Sequence, residues 1–258
     1  KNAVTGLDAS IDTKVFLEKA KFTNNHISVN IHDYLKELVC NIAGTQFKCT
    51  KASDMLPPYS NSKTETHLIV KSIASAVVGN NNATLNNFSN ADFGLKCENV
   101  QLSIFNSKFD SINTTGKGIA LMIDGFNQRS DVINIGGTLS SQSVLFSNCN
   151  TAVDATDNLK LKIQSNTFTN CKTGINAYAC SDSLFANNID ILNNTITGST
   201  LGVLLTMNRN SRFNINYNTI SVTADTAYAI AIQDLLSQTK SQLYIKFNSI
   251  NKCKTGIY

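Results

Sequence analysis

From Leu161 to Phe168 apolar and polar side chains alternate up to an asparagine, and an apolar residue follows two places on. The same frame (apolar, x, apolar, x, x, Asn, x, apolar) returns at Ile189–Ile196, Phe213–Ile220 and Leu243–Ile250. Each copy is followed by a second phrase, a small residue and then Ile or Val, at Gly174, Gly202, Ala229 and Gly256. The earlier half carries the pattern more faintly. Leu102–Phe109 pairs with Gly118, the stretch around Phe146 with Ala152, and the stretch ending at Phe88 with Gly94. Val15–Phe22 and Cys40–Phe47 fit the apolar spacing, with Ala20 and Thr45 at the asparagine position. The closing apolar residues fall at 22, 47, 88, 109, 146, 168, 196, 220 and 250. Their intervals are mostly 21 to 30 residues, with two of 41 and 37 that imply insertions or a missed turn.

Alternation with period two predicts strands, and these are short, rich in β-branched residues and bounded by Asn, Ser, Thr and Gly. Short strands recurring every two to three dozen residues without long helices between them are the signature of a parallel β-helix. Stacking at about 4.8 Å per coil gives roughly nine or ten rungs and a rod of about 40–45 Å. The predicted fold is therefore all-β, a single-stranded right-handed parallel β-helix solenoid. It forms one domain over 1–258, with weaker rungs or a cap over 1–67 and regular rungs over 68–258. Asp33–Ile42 reads as a candidate short N-terminal helix.

These phrases resemble the right-handed parallel β-helix repeat proteins, the pectin-lyase-like superfamily together with bacterial secreted and surface β-helices and phage tailspikes. The resemblance covers most of the chain and is clearest from Phe88 to Tyr258. It implies a fold that hosts lyases, hydrolases, adhesins and scaffolds alike, so function has to be argued from a site.

Stacking gives single residues a meaning. Cys149, Cys171 and Cys253 occupy equivalent places in three copies of one six-residue phrase. A stacked interior row of small hydrophobes is the leading reading; a Cys149–Cys171 disulfide and a metal site are the alternatives. Asn166, Asn194, Asn218 and Asn248 fall where the chain turns between strands, so an interior ladder is expected, with left-handed backbone at those asparagines. Alternation through the second phrase points Ile119, Leu121, Ile123, Val153, Ala155, Ile175, Ala177, Val203, Leu205, Ile230 and Ile232 inward. It points Ala120, Met122, Asp154, Asn176, Tyr178, Leu204, Thr206, Ala231 and Gln233 outward. The apolar members of that outer row (Ala120, Met122, Tyr178, Leu204 and Ala231) suit a protein partner or neighbouring domain.

The longest variable segments follow the second phrase, so they project from one flank of the rod. Asp124, Arg129, Asp131, Tyr178, Asp182, Arg209, Arg212 and Asp234 are the candidate ligand-binding residues gathered there.

Composition narrows the chemistry. The net charge is +4 without a run of like charges, which argues against nucleic acid as a partner. No 18-residue apolar run predicts a transmembrane helix. Three histidines (His26, His32 and His67) and no C-x-x-C pair make zinc a poor fit. The histidines lie in the N-terminal region, away from the variable flank. A lyase of this fold would need carboxylates for calcium and a base beside a uronate, yet no outward strand carries an Asp-x-Asp or Glu-x-Asp pair. The Asn-Thr-Asp, Asp-Asp and Gly-His-Gly phrases of polygalacturonases are absent from the sequence.

The expectation is thus a non-catalytic extracellular or cell-surface β-helix of bacterial type, structural, adhesive or ligand-binding, without a cofactor. A polysaccharide lyase using Ca2+ and a tailspike-like trimer are the alternatives. The chain stops at Tyr258 in mid-rung, so it is expected to be a segment of a longer secreted protein, or to have a partner covering that end.

Overall fold

The computed structural model describes residues 2–10, 14–33, 39–50, 55–59, 63–80, 84–113, 118–125, 132–157, 160–180, 188–207, 212–223, 227–233 and 242–258. Its strands, numbered β1 (Thr5–Ser10) to β28 (Thr255–Ile257), form three parallel sheets of ten, nine and nine strands. Each coil contributes one strand to each sheet in turn. β16 (Thr151–Thr156) lies in sheet A, β17 (Lys160–Gln164) in sheet B and β18 (Thr167–Thr169) in sheet C. β19 (Thr173–Tyr178), β20 (Asn188–Leu192) and β21 (Thr195–Ser199) repeat the cycle one coil on. The chain is an all-β parallel β-helix, as its period predicts. Ile175 pairs with Val203 across adjacent coils, a sequence separation that only a winding backbone brings together.

The nine closing apolar residues form one column in sheet C, from Phe22 through Phe47, Phe88, Phe109, Phe146, Phe168, Ile196 and Ile220 to Ile250. No turn is missing, so the two long intervals are insertions at corners. The phenylalanines stack nearly parallel, with centroids 4.6 to 5.3 Å apart from Phe22 to Phe168. Stacking like on like is forced by register, and offset rings suit that spacing.

The asparagine ladder forms as expected. The Asn194 Nδ2 donates to Ile163 O (2.9 Å) and to Asn218 Oδ1 (3.0 Å), while its Oδ1 accepts from the Asn166 backbone N–H (3.0 Å) and Nδ2 (3.1 Å). Asn218 repeats the pattern against Ile191 and Asn248. Asn86 plays the part lower down, accepting from the Thr45 N–H at 2.8 Å. One detail differs from expectation. The left-handed residue is the one before each ladder asparagine: Ser165 (φ 58°), Asn193 (φ 55°), Tyr217 (φ 60°) and Phe247 (φ 56°). The frame read from sequence as one strand is therefore two, bent at that corner from sheet B into sheet C.

Strict alternation fails near the start of sheet A strands in the middle and upper coils. Ala120 and Leu121 are both buried, as are Ala152 with Val153, Gly174 with Ile175, Gly202 with Val203 and Ala229 with Ile230. The small residue sits in the bend, close under the next coil. A Cβ on Gly174 would lie 2.6 Å from Gly202 O, and one on Gly202 would lie 2.4 Å from Ala229 O. Ala120 therefore does not belong to the outer row, and Ile119 is only half-buried. Ala231 does project outward in register with Leu204, yet it is 2% exposed. The helix expected at Asp33–Ile42 is not seen over its described part, where Val39–Ala43 is β5 with alternating burial; residues 34–38 lie outside the described residues. Among the described residues the helical element is the 3-10 turn Ser140–Gln142, and no helix is long and apolar enough to cross a membrane.

Cys149 and Cys171 are buried in one interior row and Cys253 is half-buried, and none of the seven cysteines forms a disulfide. His67 breaks the run of small residues at the sheet A bend, standing where Ser28 and Gly94 stand in the flanking coils. It is fully buried, with Nε2 2.8 Å from Ser89 O and Nδ1 3.3 Å from Ser28 Oγ. An N–H donated from Nε2 and a hydroxyl accepted at Nδ1 satisfy a neutral ring, and burial lowers its pKa from 6.5 to about 4.

Two predictions follow from these columns. Asn194→Ala strips four hydrogen bonds and orphans buried partners. It should cost about 3 kcal/mol and lower the thermal midpoint by roughly 6–10 °C; a shift under about 2 °C would show that the ladder contributes little. Because the folded pKa of His67 lies below its unfolded value, its contribution is present above the unfolded pKa near 6.5 and is lost as pH falls toward about 4. Up to about 3 kcal/mol is at stake, so thermal midpoints should fall over that window in the wild type and flatten in His67→Gln.

Candidate functional site

The outer face of sheet A carries three columns of side chains, set by the register of its strands. In the middle column Lys96, Met122, Asp154, Asn176 and Leu204 follow one another up the rod. At the end of the strands a parallel column runs His32, Lys71, Glu98, Asp124, Thr156, Tyr178 and Thr206. Asp124 and Tyr178 therefore share one column two coils apart.

Asp154 is the most informative member. It points outward yet is half-buried, and it accepts a hydrogen bond from Asn176 Nδ2 at 2.8 Å. Burial pushes its carboxyl above the ordinary aspartate value, with that hydrogen bond acting in the opposite direction. The Asn176 Oδ1 is buried without a partner among the described residues, as is the Thr206 Oγ1 one coil on. Beside them the Tyr178 ring is 40% exposed, and its hydroxyl lies 3.2 Å from Met207 Sδ. Asp157, just beyond the strand, is pushed up by partial burial and by the Asp124 carboxylate. A ring, a shielded carboxylate, an amide and hydroxyls thus lie within a few coils at about 4.8 Å per step.

Lower on the same sheet is a cluster that the sequence reading missed. Glu65 bridges His26 (Nε2 to Oε2, 3.1 Å) and Lys96 (Nζ to Oε1, 3.2 Å). The His26 ring stacks on Tyr59 at 3.7 Å, and the Lys96 ammonium lies 3.8 Å from the Phe93 ring centre. The His26 Nδ1 is buried without a partner among the described residues. One strand-length away His32 Nε2 meets Asp8 at 3.3 Å, and Lys71 meets Glu98 at 2.8 Å. The histidines were expected away from the functional flank. Instead His26 and His32 flank β4 (Ile27–His32) on the face that carries Asp124 three strands on, and His67 is interior.

The remaining candidates divide. Arg212 opens β23 (Arg212–Asn216) in sheet B, where its guanidinium lies 5.1 Å from the Tyr244 ring centre. Arg129, Asp131, Asp182, Arg209 and Asp234 lie outside the described residues. Met122 and Leu204 keep their outward, half-buried places. Among the described residues no three His, Cys, Asp or Glu side chains come together as a metal site.

No protein-family model and no curated protein matches the chain. Among solved structures it is similar to the A-module of the mannuronan C-5 epimerase AlgE4 from Azotobacter vinelandii, at 15% identity and a TM-score of 0.51. The likeness covers 95% of this chain and 62% of that module. It shows the fold, a parallel β-helix.

Proposed function

We propose that this β-helix binds a polysaccharide along the outer face of sheet A, as a non-catalytic, secreted or surface-exposed module. The observation that carries the reading is Asp154, a carboxylate held half-buried on an outward face beside an exposed tyrosine. Buried polar groups need partners. A sugar hydroxyl suits the Asp154 carboxylate and the Asn176 carbonyl, and a pyranose ring suits the face of Tyr178. Coil spacing near 4.8 Å is comparable to the length of one sugar ring, so a linear chain would meet equivalent groups on successive coils. The similar AlgE4 module acts on mannuronan, which supplies a precedent for a polysaccharide on this fold.

A second reading, a polysaccharide lyase or related enzyme, is favoured by the His26–Glu65–Lys96 cluster on the same face. A carboxylate-held imidazole next to an ammonium is the equipment for proton abstraction beside a uronate. Calcium would enter only under this reading.

The test is affinity electrophoresis and calorimetry on polygalacturonate, alginate and a neutral glucan. Asp154→Ala and Tyr178→Ala should each weaken binding about tenfold, and the polymers should be recovered unchanged. Affinity unaltered in both variants would defeat the sheet A reading. Unsaturated ends or altered uronate composition, lost in Glu65→Gln, would transfer the conclusion to the enzyme.

A further inference from the structure

The corner between sheets B and C asks every coil for one residue with left-handed backbone. Lys19, Gly44, Asn106, Ser165 and Asn193 fill it in five coils, residue types that are small, flexible or tolerant of positive φ. Tyr217 and Phe247 fill it in the last two, at φ 60° and 56°. For bulky rings this is a strained choice, and nothing in the core uses it. Tyr217 is 58% exposed and Phe247 is 72% exposed, and the two rings stack on each other at 5.0 Å and 13°. Backbone strain retained for side chains that face water points to something those side chains meet.

The surroundings say what. Three residues before Phe247, on the same sheet B strand that leads into this corner, Tyr244 points outward from β26 (Gln242–Lys246), with the Arg212 guanidinium and Lys246 ammonium 5.1 and 5.2 Å from its ring centre. Asp190, lower on the same face, is engaged by Asn214 Nδ2 at 2.6 Å. The charge distribution agrees. Residues 201–258 hold six Lys and Arg against two Asp, whereas residues 1–200 balance at sixteen of each, so the whole net charge of +4 lies in this last part.

We infer that Tyr217, Phe247 and Tyr244, with Arg212 and Lys246, form a second carbohydrate site for an anionic sugar chain, on a flank distinct from sheet A. Flat apolar sugar faces stack on the rings, and the carboxylate or sulfate groups meet the two cations. Two cations with three rings fit a sparsely charged sugar polymer better than the dense phosphates of a nucleic acid. Two separate faces would let one molecule bridge two glycan strands. Only that bridging rests on the sheet A reading; the site itself does not.

The experiment uses the full chain and the double variant Tyr217→Asn/Phe247→Asn, which installs the residue already present at the corner of the preceding coil. Calorimetry with polygalacturonate, with its methyl-esterified form and with dextran reads the site in a background carrying Asp154→Ala and Tyr178→Ala. The expected result is polygalacturonate binding that survives in that background and falls at least tenfold when the two asparagines are added. The thermal midpoint should be unchanged or higher by about 2 °C, because the strained corners are relieved. Arg212→Gln with Lys246→Gln should abolish the preference for polygalacturonate over the ester.

A midpoint lowered by more than about 4 °C by the asparagine pair would show that the rings serve folding and overturn the proposal. So would equal binding before and after that pair, competition by a single-stranded oligonucleotide in place of the sugar acid, or a concentration-dependent dimer that the pair dissolves. Loss of all binding in the Asp154→Ala/Tyr178→Ala background would place the ligand on sheet A alone, sparing that reading and ending this one.

Discussion

The structure depends on register between coils. In a parallel β-helix each interior side chain rests on its own counterpart from the coil below, so packing is solved once and repeated. The asparagine ladder makes that register strict. Asn166, Asn194 and Asn218 each give an amide to a carbonyl of the coil below and to the next asparagine, and each takes a backbone N–H in return. A slip of one residue would turn every one of these amides out of the core and replace it with a side chain unable to make the bonds. Apolar columns alone would tolerate such a slip more easily, because Phe, Ile and Val exchange with modest loss when volume is kept. The ladder is therefore what makes the winding unique, and the aromatic column beside it supplies the largest buried side chains.

Fixed register has a consequence for variation. A residue added inside a strand makes a bulge, as Gly198 does between Thr197 and Ser199 of β21, so the longer differences in length collect at corners. The phenylalanine column shows this directly. Phe47 and Phe88 stack at 4.6 Å although 41 residues separate them, and Phe88 and Phe109 stack at the same distance with 21 between. His67 is tolerated by the same logic. It is too large for the small-residue bend, and it fits because Ser28 stands in that place one coil down, Gly94 one coil up, and Ser89 offers a carbonyl. The acid sensitivity of that coil is built into a substitution within an otherwise regular column.

The sequence showed the period, the ladder, the cysteine row and the closing apolar column, because each is a recurrence that needs no knowledge of corner geometry. What escaped it were features decided at corners. Two consecutive buried residues at Ala120 and Leu121 cannot arise from alternation, and only the bend above them explains the pair. The left-handed positions fell one residue earlier than read, since the ladder side chain must enter the core while its neighbour makes the turn. The His26–Glu65–Lys96 cluster was hidden for another reason. Its members lie 39 and 31 residues apart, and which residues become vertical neighbours depends on loops whose lengths follow no rule. The small-residue phrase gives no help there, because His67 stands in its place; only matching Val29 with Leu68 as inward residues sets Glu65 one coil above His26. Of the eight candidate ligand residues, Asp124 and Tyr178 met on one column because both end sheet A strands, whereas Arg212 begins a strand and so belongs to the next sheet.

A solenoid built this way has little freedom inside and much outside. The inward residues of sheet A answer to the column above and below, and the outward ones answer only to solvent or to a ligand. An outward residue that behaves as if it were constrained is thus evidence of use. Asp154 is outward yet half-buried, and Tyr217 is exposed yet strained. Each departs from what the fold asks of its position, in opposite senses: one shields a charge that could have been solvated, the other presents a ring that could have been a glycine. Neither departure is explained by coil-to-coil packing, since the neighbouring coils manage with Met122 and Asn193 in the same places. The departures lie on different faces of one rigid rod. A single linear ligand following the column of one sheet would not account for both, and that separation is the physical reason for treating them as two sites.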